Sequence, residues 1–397
     1  MEKKKPEIRF NGFEGEWASY AFRFLFTEKR DTTQDEFEDQ LLSCAIDGIY
    51  LNSELFNHFR GSTTIGYLKV KRYDLILSAQ NLHLGNANVN LRFASGIISP
   101  AYKVYTINGD DPYFINAWVK SEHAKNFFMS ATTEGASLCR KNIEWEFLYD
   151  KKICIPSLSE QEKIGLFLTT LDKLIAKLEA KLDKLRKLKQ ALLEKMFANV
   201  NVGGGKTPEI RFKGFEGEWA TTTLGECFLE RIERSAEGEL ISVTISQGVV
   251  RASDLDRIDN SSNDKSNYKV VEVGDIAYNS MRMWQGACGY SLYKGICSPA
   301  YTVVIPQNNI DVVYCFYLFK RNETLQLFRV NSQGLTSDTW NLKYPAFSQI
   351  KCSYPPLSEQ RQIGKYFTQI DTHFSKTSTK LTKLRNIKQS LLQKMFA

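Results

Sequence analysis

The chain has 397 residues, 43% hydrophobic and 12% aromatic, with a net charge of +7. That length exceeds one ordinary core and favours two or more domains, and the composition excludes a disordered chain. No run reaches the roughly 18 apolar residues that a membrane-spanning helix needs, and no apolar segment follows the basic N-terminus, so a soluble cytoplasmic protein is expected. Eight cysteines form no C-x-x-C pair and have no histidine at ligand spacing, which points to reduced thiols and to no metal site.

In chain order, the first notable stretch is "PEIRFNGFEGEWA" (Pro6–Ala18). Beyond it "AYKVYTI" (Ala101–Ile107) reads as a strand and Tyr113–Ser130 as a helix. A long helix follows from Pro156, with Ser159 as N-cap and Glu162 completing a capping box. Its apolar residues recur at 4-3 spacing, the seam of a coiled coil: Leu168, Leu171, Ile175, Leu178, Leu182, Leu185, Leu192 and Met196. Lys189 interrupts that seam. The connector "NVNVGGGKT" (Asn199–Thr207) is short and flexible.

The plan then starts again. "PEIRFKGFEGEWA" (Pro208–Ala220) differs from the first opening only in Lys213 for Asn11. Strands are predicted at Glu239–Ile245, Tyr268–Val273 and Ala300–Pro306, and a helix over Asp311–Val330. A second long helix from Pro355 has Ser358 as its N-cap. Its seam is Phe367, Ile370, Phe374, Leu381, Leu384, Leu391 and Met395, broken by Lys388, with Thr377 where the first helix has Leu178.

Residues 156–198 and 355–397 align without gaps and are identical at 23 of 43 positions. The stretches between the matching ends, about 19–155 and 221–354, share little beyond "SPAY" (Ser99–Tyr102 and Ser298–Tyr301). Each half therefore has a constant frame and a variable insert. Each long helix has roughly 38 residues, or about 57 Å, and would expose an apolar stripe unless paired, most simply with its own repeat. The expected fold is mixed α+β: two α/β heads (1–155 and 208–354) separated by two long antiparallel coiled-coil helices (156–198 and 355–397). The linker is 199–207, and the whole is a pseudo-two-fold dumbbell.

Catalytic signatures are not found. "GGGKT" (Gly203–Thr207) imitates a P-loop, but no strand precedes it and Pro208 stands where the helix should start. "YPPL" (Tyr354–Leu357) lacks the polar residue and the final aromatic of an amino-methyltransferase motif. The four histidines are scattered. Binding is therefore favoured over catalysis.

Charge placement supports a polyanionic partner. Residues 159–198 carry nine Lys/Arg against six Asp/Glu, and 358–397 carry eight against two, so the remainder of the chain is slightly acidic. Lysine-rich outer faces are ordinary on coiled coils, yet a basic rod also suits DNA. In the heads, polar loops offer base-reading side chains. In the second they are Asn279, Ser280, Arg282, Trp284 and Gln285 on one loop, Gln247 and Arg251 on another, and Gln333, Thr336 and Ser337 on a third. The first head offers Gln80, Asn81, Asn88 and Arg92, then Thr63 and Thr64, then Ser137 and Arg140.

The duplicated "PEIRF…GFEGEW" openings, the "LSEQ…IG" helix starts and the "KLR…KQ…LL…KMFA" helix ends resemble those of the specificity (S) subunit of type I restriction–modification systems, over essentially the whole chain. The resemblance implies that the inserts are target recognition domains, each binding one half of a split site on double-stranded DNA. It implies that the helices set the gap between half-sites and dock two methyltransferase subunits, with restriction subunits completing the complex. S-adenosylmethionine, ATP and Mg2+ would belong to those partners, leaving this chain without cofactors and non-catalytic. It also makes the opening motif part of a frame that meets identical partners. Two rival classes are a coiled-coil adaptor without DNA specificity and a stand-alone nuclease or methyltransferase. Neither explains near-identical frames around dissimilar inserts.

Overall fold

The computed structural model describes residues 4–57, 61–137, 140–198, 207–256 and 261–397, with the side chains of 134–141 also outside the description. The chain divides into two units, Met1–Ala180 with Ser378–Ala397, and Lys181–Thr377. Each holds one head and a segment of both long helices. The long helices span Leu158–Lys195 and Leu357–Lys394, 38 residues apiece. Most of the connector (199–206) lies outside the described residues.

In the first unit the head is organised by a four-stranded antiparallel sheet in the order Phe26–Lys29, Tyr102–Ile107, Leu75–Ser78, Ala87–Val89. The strand Leu75–Ser78 is apolar at consecutive positions because both of its faces are covered. Leu75 and Leu77 join a core with Trp17, Tyr105, Phe114, Trp118 and Phe128, to which the long helices add Ile164, Leu168, Met395 and Phe396. Ile76 and Val104 face a second core with Leu42, Cys44, Ile49, Val70 and Ile98. That core is closed by the hairpin Leu42–Ala45/Gly48–Leu51 and the pair Leu68–Lys71/Ser95–Ile98. Ala18–Ala21 pairs antiparallel with Lys152–Ile155 and draws the ends of the head together at the foot of the helix.

The second unit repeats this scheme. Its sheet runs Phe228–Glu230, Tyr301–Pro306, Ile276–Asn279, Cys288–Tyr290, and Ala220–Thr223 pairs with Lys351–Tyr354. Its outer sheet contains a parallel pairing, Leu240–Thr244 with Gly295–Cys297. The other strand pairs between its named strands are antiparallel, so the head is α+β.

Two expectations are corrected. The single helices predicted over Tyr113–Ser130 and Asp311–Val330 are each broken in two, as Pro112–Val119 and Glu122–Met129, and as Val312–Leu318 and Asn322–Val330. In the first head Ser121 is extended, and its hydroxyl accepts from Ala124 N at 3.1 Å, capping the second piece. In the second head Arg321 is extended and directs its guanidinium to the carbonyls of Leu193 and Ala198 instead. The long helices also begin one residue before the expected caps. Ser157 O and Pro356 O accept the first-turn bonds from Gln161 N and Gln360 N, which puts Ser159 and Ser358 inside the first turn. The neighbouring glutamines provide the stop: Gln161 and Gln360 donate back to Pro156 O and Pro355 O, at 3.0 and 2.9 Å.

The seam residues are unevenly buried. In the first unit Leu171, Leu178 and Leu381 are buried, and Ile175, Leu384 and Leu391 half-buried. In the second, Ile370 is buried, as is Thr377, whose hydroxyl donates to His373 O at 2.8 Å; Leu182, Leu185, Leu192 and Phe374 are half-buried. The lysine interruptions have a structural purpose. Lys388 pairs with Asp172 in the first unit and Lys189 with Asp371 in the second, each at 2.5 Å. Arg385 meets Glu179 beside the first pair and Arg186 lies over Phe374 beside the second, so the paired segments run antiparallel within each unit. No described helix is long and apolar enough to cross a membrane.

Candidate nucleic-acid interface

The constant frame is held by one motif used twice. Arg9 donates from Nε and Nη2 to the two carboxylate oxygens of Glu160, both at 2.7 Å, and from Nη1 to Gly15 O. Arg211 does the same to Glu359, at 2.8 Å twice, and to Gly217 O. Only 1% of either glutamate side chain is exposed. The hydrogen bonds to the buried carboxylates raise both guanidinium pKa values. Gln161 and Gln360 fix the next contact by accepting from Asp111 N and Asp311 N, each at 2.9 Å. These aspartates in turn cap the head helices Pro112–Val119 and Val312–Leu318 through Phe114 N and Tyr314 N. The opening motif therefore binds this chain's own helix start. Its backbone also reaches a helix end: Ile8 N donates to Lys394 O, and Ile210 N to Lys195 O.

Further out, the lysine that follows each of these head helices is half-buried and bonds backbone and amide oxygens in place of a carboxylate. Lys120 Nζ donates to Ile46 O at 2.6 Å, to Ala87 O at 3.0 Å and to Asn88 Oδ1. Burial pushes its pKa down to about 8. Lys320 donates to Ile245 O at 3.0 Å and to Gly286 O, and burial lowers its pKa too. Lys120 ties the tip of the outer hairpin to the sheet strand Ala87–Val89, and Lys320 ties its hairpin tip to the turn that follows Ile276–Asn279.

The candidate base-reading residues separate into two groups. Asn88 is buried, and its amide donates to Ala45 O and Cys44 Sγ. Thr64 is fully buried, its hydroxyl donating to Glu36 and accepting from Phe37 N, and the exposed Thr63 also binds Glu36. Ser280 is buried and donates to Ala300 O. Asn279 accepts from Met281 N. Arg92 is exposed and bidentate to Glu54, and Arg251 pairs with Glu239 and lies over Tyr293. Trp284 packs edge-on to Trp340 at 5.1 Å. Gln80, Asn81, Gln247 and Gln285 are exposed, and Arg282 is half-buried. Gln333, Thr336 and Ser337 are exposed on a loop closed by Gln333 N to Asn341 O at 3.1 Å. The side chains of Ser137 and Arg140 lie outside the described residues, as does His58.

Gln80 and Asn81 line a cleft of about 390 Å³ whose other described polar walls include Ser43, Asn52, Ser99 and Tyr102. A larger cleft of about 940 Å³ in the second unit lies between the helix segments and the head, lined by Lys189, Asp371, Tyr317, Lys320, Phe316 and Gln247. Among the described residues no cluster of three or more His, Cys, Asp or Glu could hold a metal ion. The seven described cysteines are buried and none is in a disulfide; burial raises the thiol pKa of Cys44 to about 11 and of Cys297 to about 12.

The Arg–Glu locks and the lysine ties were missed from sequence. Their signal was present, since "IRF", "SEQ" and a lysine nine residues after the capping aspartate occur in both halves.

Residues 218–386 match the family described as the type I restriction modification DNA specificity domain. That match takes in most of the second head and part of the second long helix. A type I restriction enzyme MjaVIII specificity subunit from Methanocaldococcus jannaschii is 26% identical over 131 residues. That match covers 32% of this chain and 29% of the relative. The crystal structure of a type I restriction–modification S subunit from M. genitalium superposes with a TM-score of 0.59 at 16% identity, covering 99% of each chain, and so shares the fold. An HsdS subunit from Thermoanaerobacter tengcongensis gives 0.47 at 15% identity over 96% of each chain.

Proposed function

We propose that the chain is the sequence-specific DNA-recognition subunit of a type I restriction–modification complex and docks its methyltransferase subunits. The observation that carries this is the contrast within the repeat. Arg9–Glu160 and Arg211–Glu359 hold the two frames in the same way, while the polar surface each head presents differs in composition. Equivalent frames suit equivalent partners, hence two methyltransferase subunits per chain, with restriction subunits joining the full assembly. Unlike heads suit a bipartite, non-palindromic target on double-stranded DNA, where phosphates position and base edges specify.

In this reading residues 1–155 and 208–354 are the target recognition domains, 199–207 is the linker, and 156–198 and 355–397 are the spacers that set the gap. The chain itself is non-catalytic. S-adenosylmethionine, ATP and Mg2+ act on the partner subunits. The test is selection from randomised duplexes by the chain complexed with its co-expressed methyltransferase. Enrichment of two half-sites at fixed spacing is expected, and equal binding to all duplexes contradicts the reading.

A further inference from the structure

We propose that the turn after the central sheet strand is the base-reading position of each head: Gln80 and Asn81 read an A·T pair in one half-site, and Arg282 reads a G·C pair in the other. This rests on the DNA-recognition function proposed above.

The two turns share one backbone. Asn81 N donates to Ser78 O and Asn86 N to Asn81 O; Arg282 N donates to Asn279 O and Ala287 N to Arg282 O. Both turns exit through a glycine in the left-handed region, Gly85 at φ 84° and Gly286 at φ 82°. Lys320 binds Gly286 O within the second turn, and Lys120 binds Ala87 O in the strand that leaves the first. Gln80–Asn81 and Met281–Arg282 are thus different side chains on the same scaffold position, as a modular reader requires.

In the first head the amide-rich run divides cleanly. Asn86, Asn88 and Asn90 turn inward and bind Cys44 O, Ala45 O and Phe93 O. Gln80 and Asn81 are exposed, and their side chains make no hydrogen bond within the described residues. Among the described residues the cleft beside them has amides, hydroxyls and aromatics but no charged side chain on its walls. Phosphate binding would call for lysine or arginine there, whereas an adenine edge, with its N6 donor and N7 acceptor, matches a side-chain amide.

In the second head Arg282 has no such satisfied neighbours to explain it. Among the described residues the other buried or half-buried arginines, Arg9, Arg211, Arg231 and Arg321, each hold a carboxylate. Arg282 is half-buried, with no acceptor for its guanidinium among the described residues. A guanidinium fork without a protein acceptor is completed by guanine O6 and N7.

The experiment is selection from randomised duplexes by the methyltransferase complex of the wild type, Gln80→Ala/Asn81→Ala, Arg282→Gln and Arg282→Lys. Assembly and thermal unfolding are checked for each complex. Arg282→Gln is expected to relax or convert one G·C position in a single half-site, with roughly ten- to hundred-fold lost discrimination there. Arg282→Lys, which keeps charge but not the bidentate fork, is expected to relax the same position. The Gln80/Asn81 variant is expected to relax an A·T position in the other half-site alone. Uniformly weaker binding with an unchanged motif would make Arg282 a phosphate contact and overturn the proposal. So would changes in the same half-site for both sets. A wild-type complex that selects no motif sinks the recognition function itself, and this inference with it.

Discussion

Glu160 receives both arms of the Arg9 guanidinium at 2.7 Å while 1% of its side chain is exposed, and this pair fastens the opening motif to the start of the first long helix. Removing one partner strands a buried charge, so Arg9→Ala is expected to cost about 3–5 kcal/mol in urea unfolding. Arg9→Leu with Glu160→Leu should recover most of that loss, since the pair's desolvation is removed along with its attraction. A single-variant cost below about 1 kcal/mol would show that the lock is not a determinant of stability.

The ion pairs that interrupt the seam are weaker and unequal. Lys388–Asp172 and Lys189–Asp371 are partly exposed, so each is expected to couple by no more than about 1 kcal/mol and to fade in 1 M salt. Asp371 also accepts from Tyr317 Oη at 2.7 Å. Asp371→Ala should therefore destabilise more than Asp172→Ala, and double-mutant cycles at low and high salt measure both effects. Equal costs would remove Tyr317 from the account.

Lys120 gives a pH dependence of defined sign. Burial lowers its folded-state pKa from the ordinary 10.5 to about 8, so between those values the unfolded chain binds more protons. This group's contribution to stability therefore rises with pH across that window, by about 3 kcal/mol in all, and is flat below it. NMR titration of the Nζ should give a midpoint near 8, and Lys120→Met should lose this component of the pH profile. A midpoint at or above 10 would contradict the burial argument.

Much of this architecture was legible in the sequence because it is written twice. The strands at Ala101–Ile107 and Ala300–Pro306 and the two long helices follow from alternation, 4-3 spacing and identity between the halves. The helix breaks at Lys120–Ser121 and Phe319–Arg321 were not legible, because apolar periodicity continues across them, while the Ser121 cap decides the first and long-range bonds from Arg321 to carbonyls the second. The same holds for Glu160. Nothing local marks it apart from Glu162, the capping-box glutamate, until Arg9, 151 positions away, is placed beside it. At the head tips the sequence could nominate Asn88 and Gln80 alike; burial alone distinguishes the amide bound to Cys44 and Ala45 from the amide left free.

Modular heads on an equivalent frame predict a modular outcome. Replacing residues 221–354 with the corresponding head of another specificity chain is expected to change one half-site and preserve both the other half and the gap. Motif selection by the chimaeric complex checks this, and a change in both halves would contradict independent readout.

The most direct measurement is a genome-wide methylation map of cells that express this chain with its methyltransferase. The account predicts one bipartite, non-palindromic motif with two unlike halves at fixed spacing. Methylation at a continuous or palindromic site, or no dependence of the methylated sequence on this chain, would contradict it.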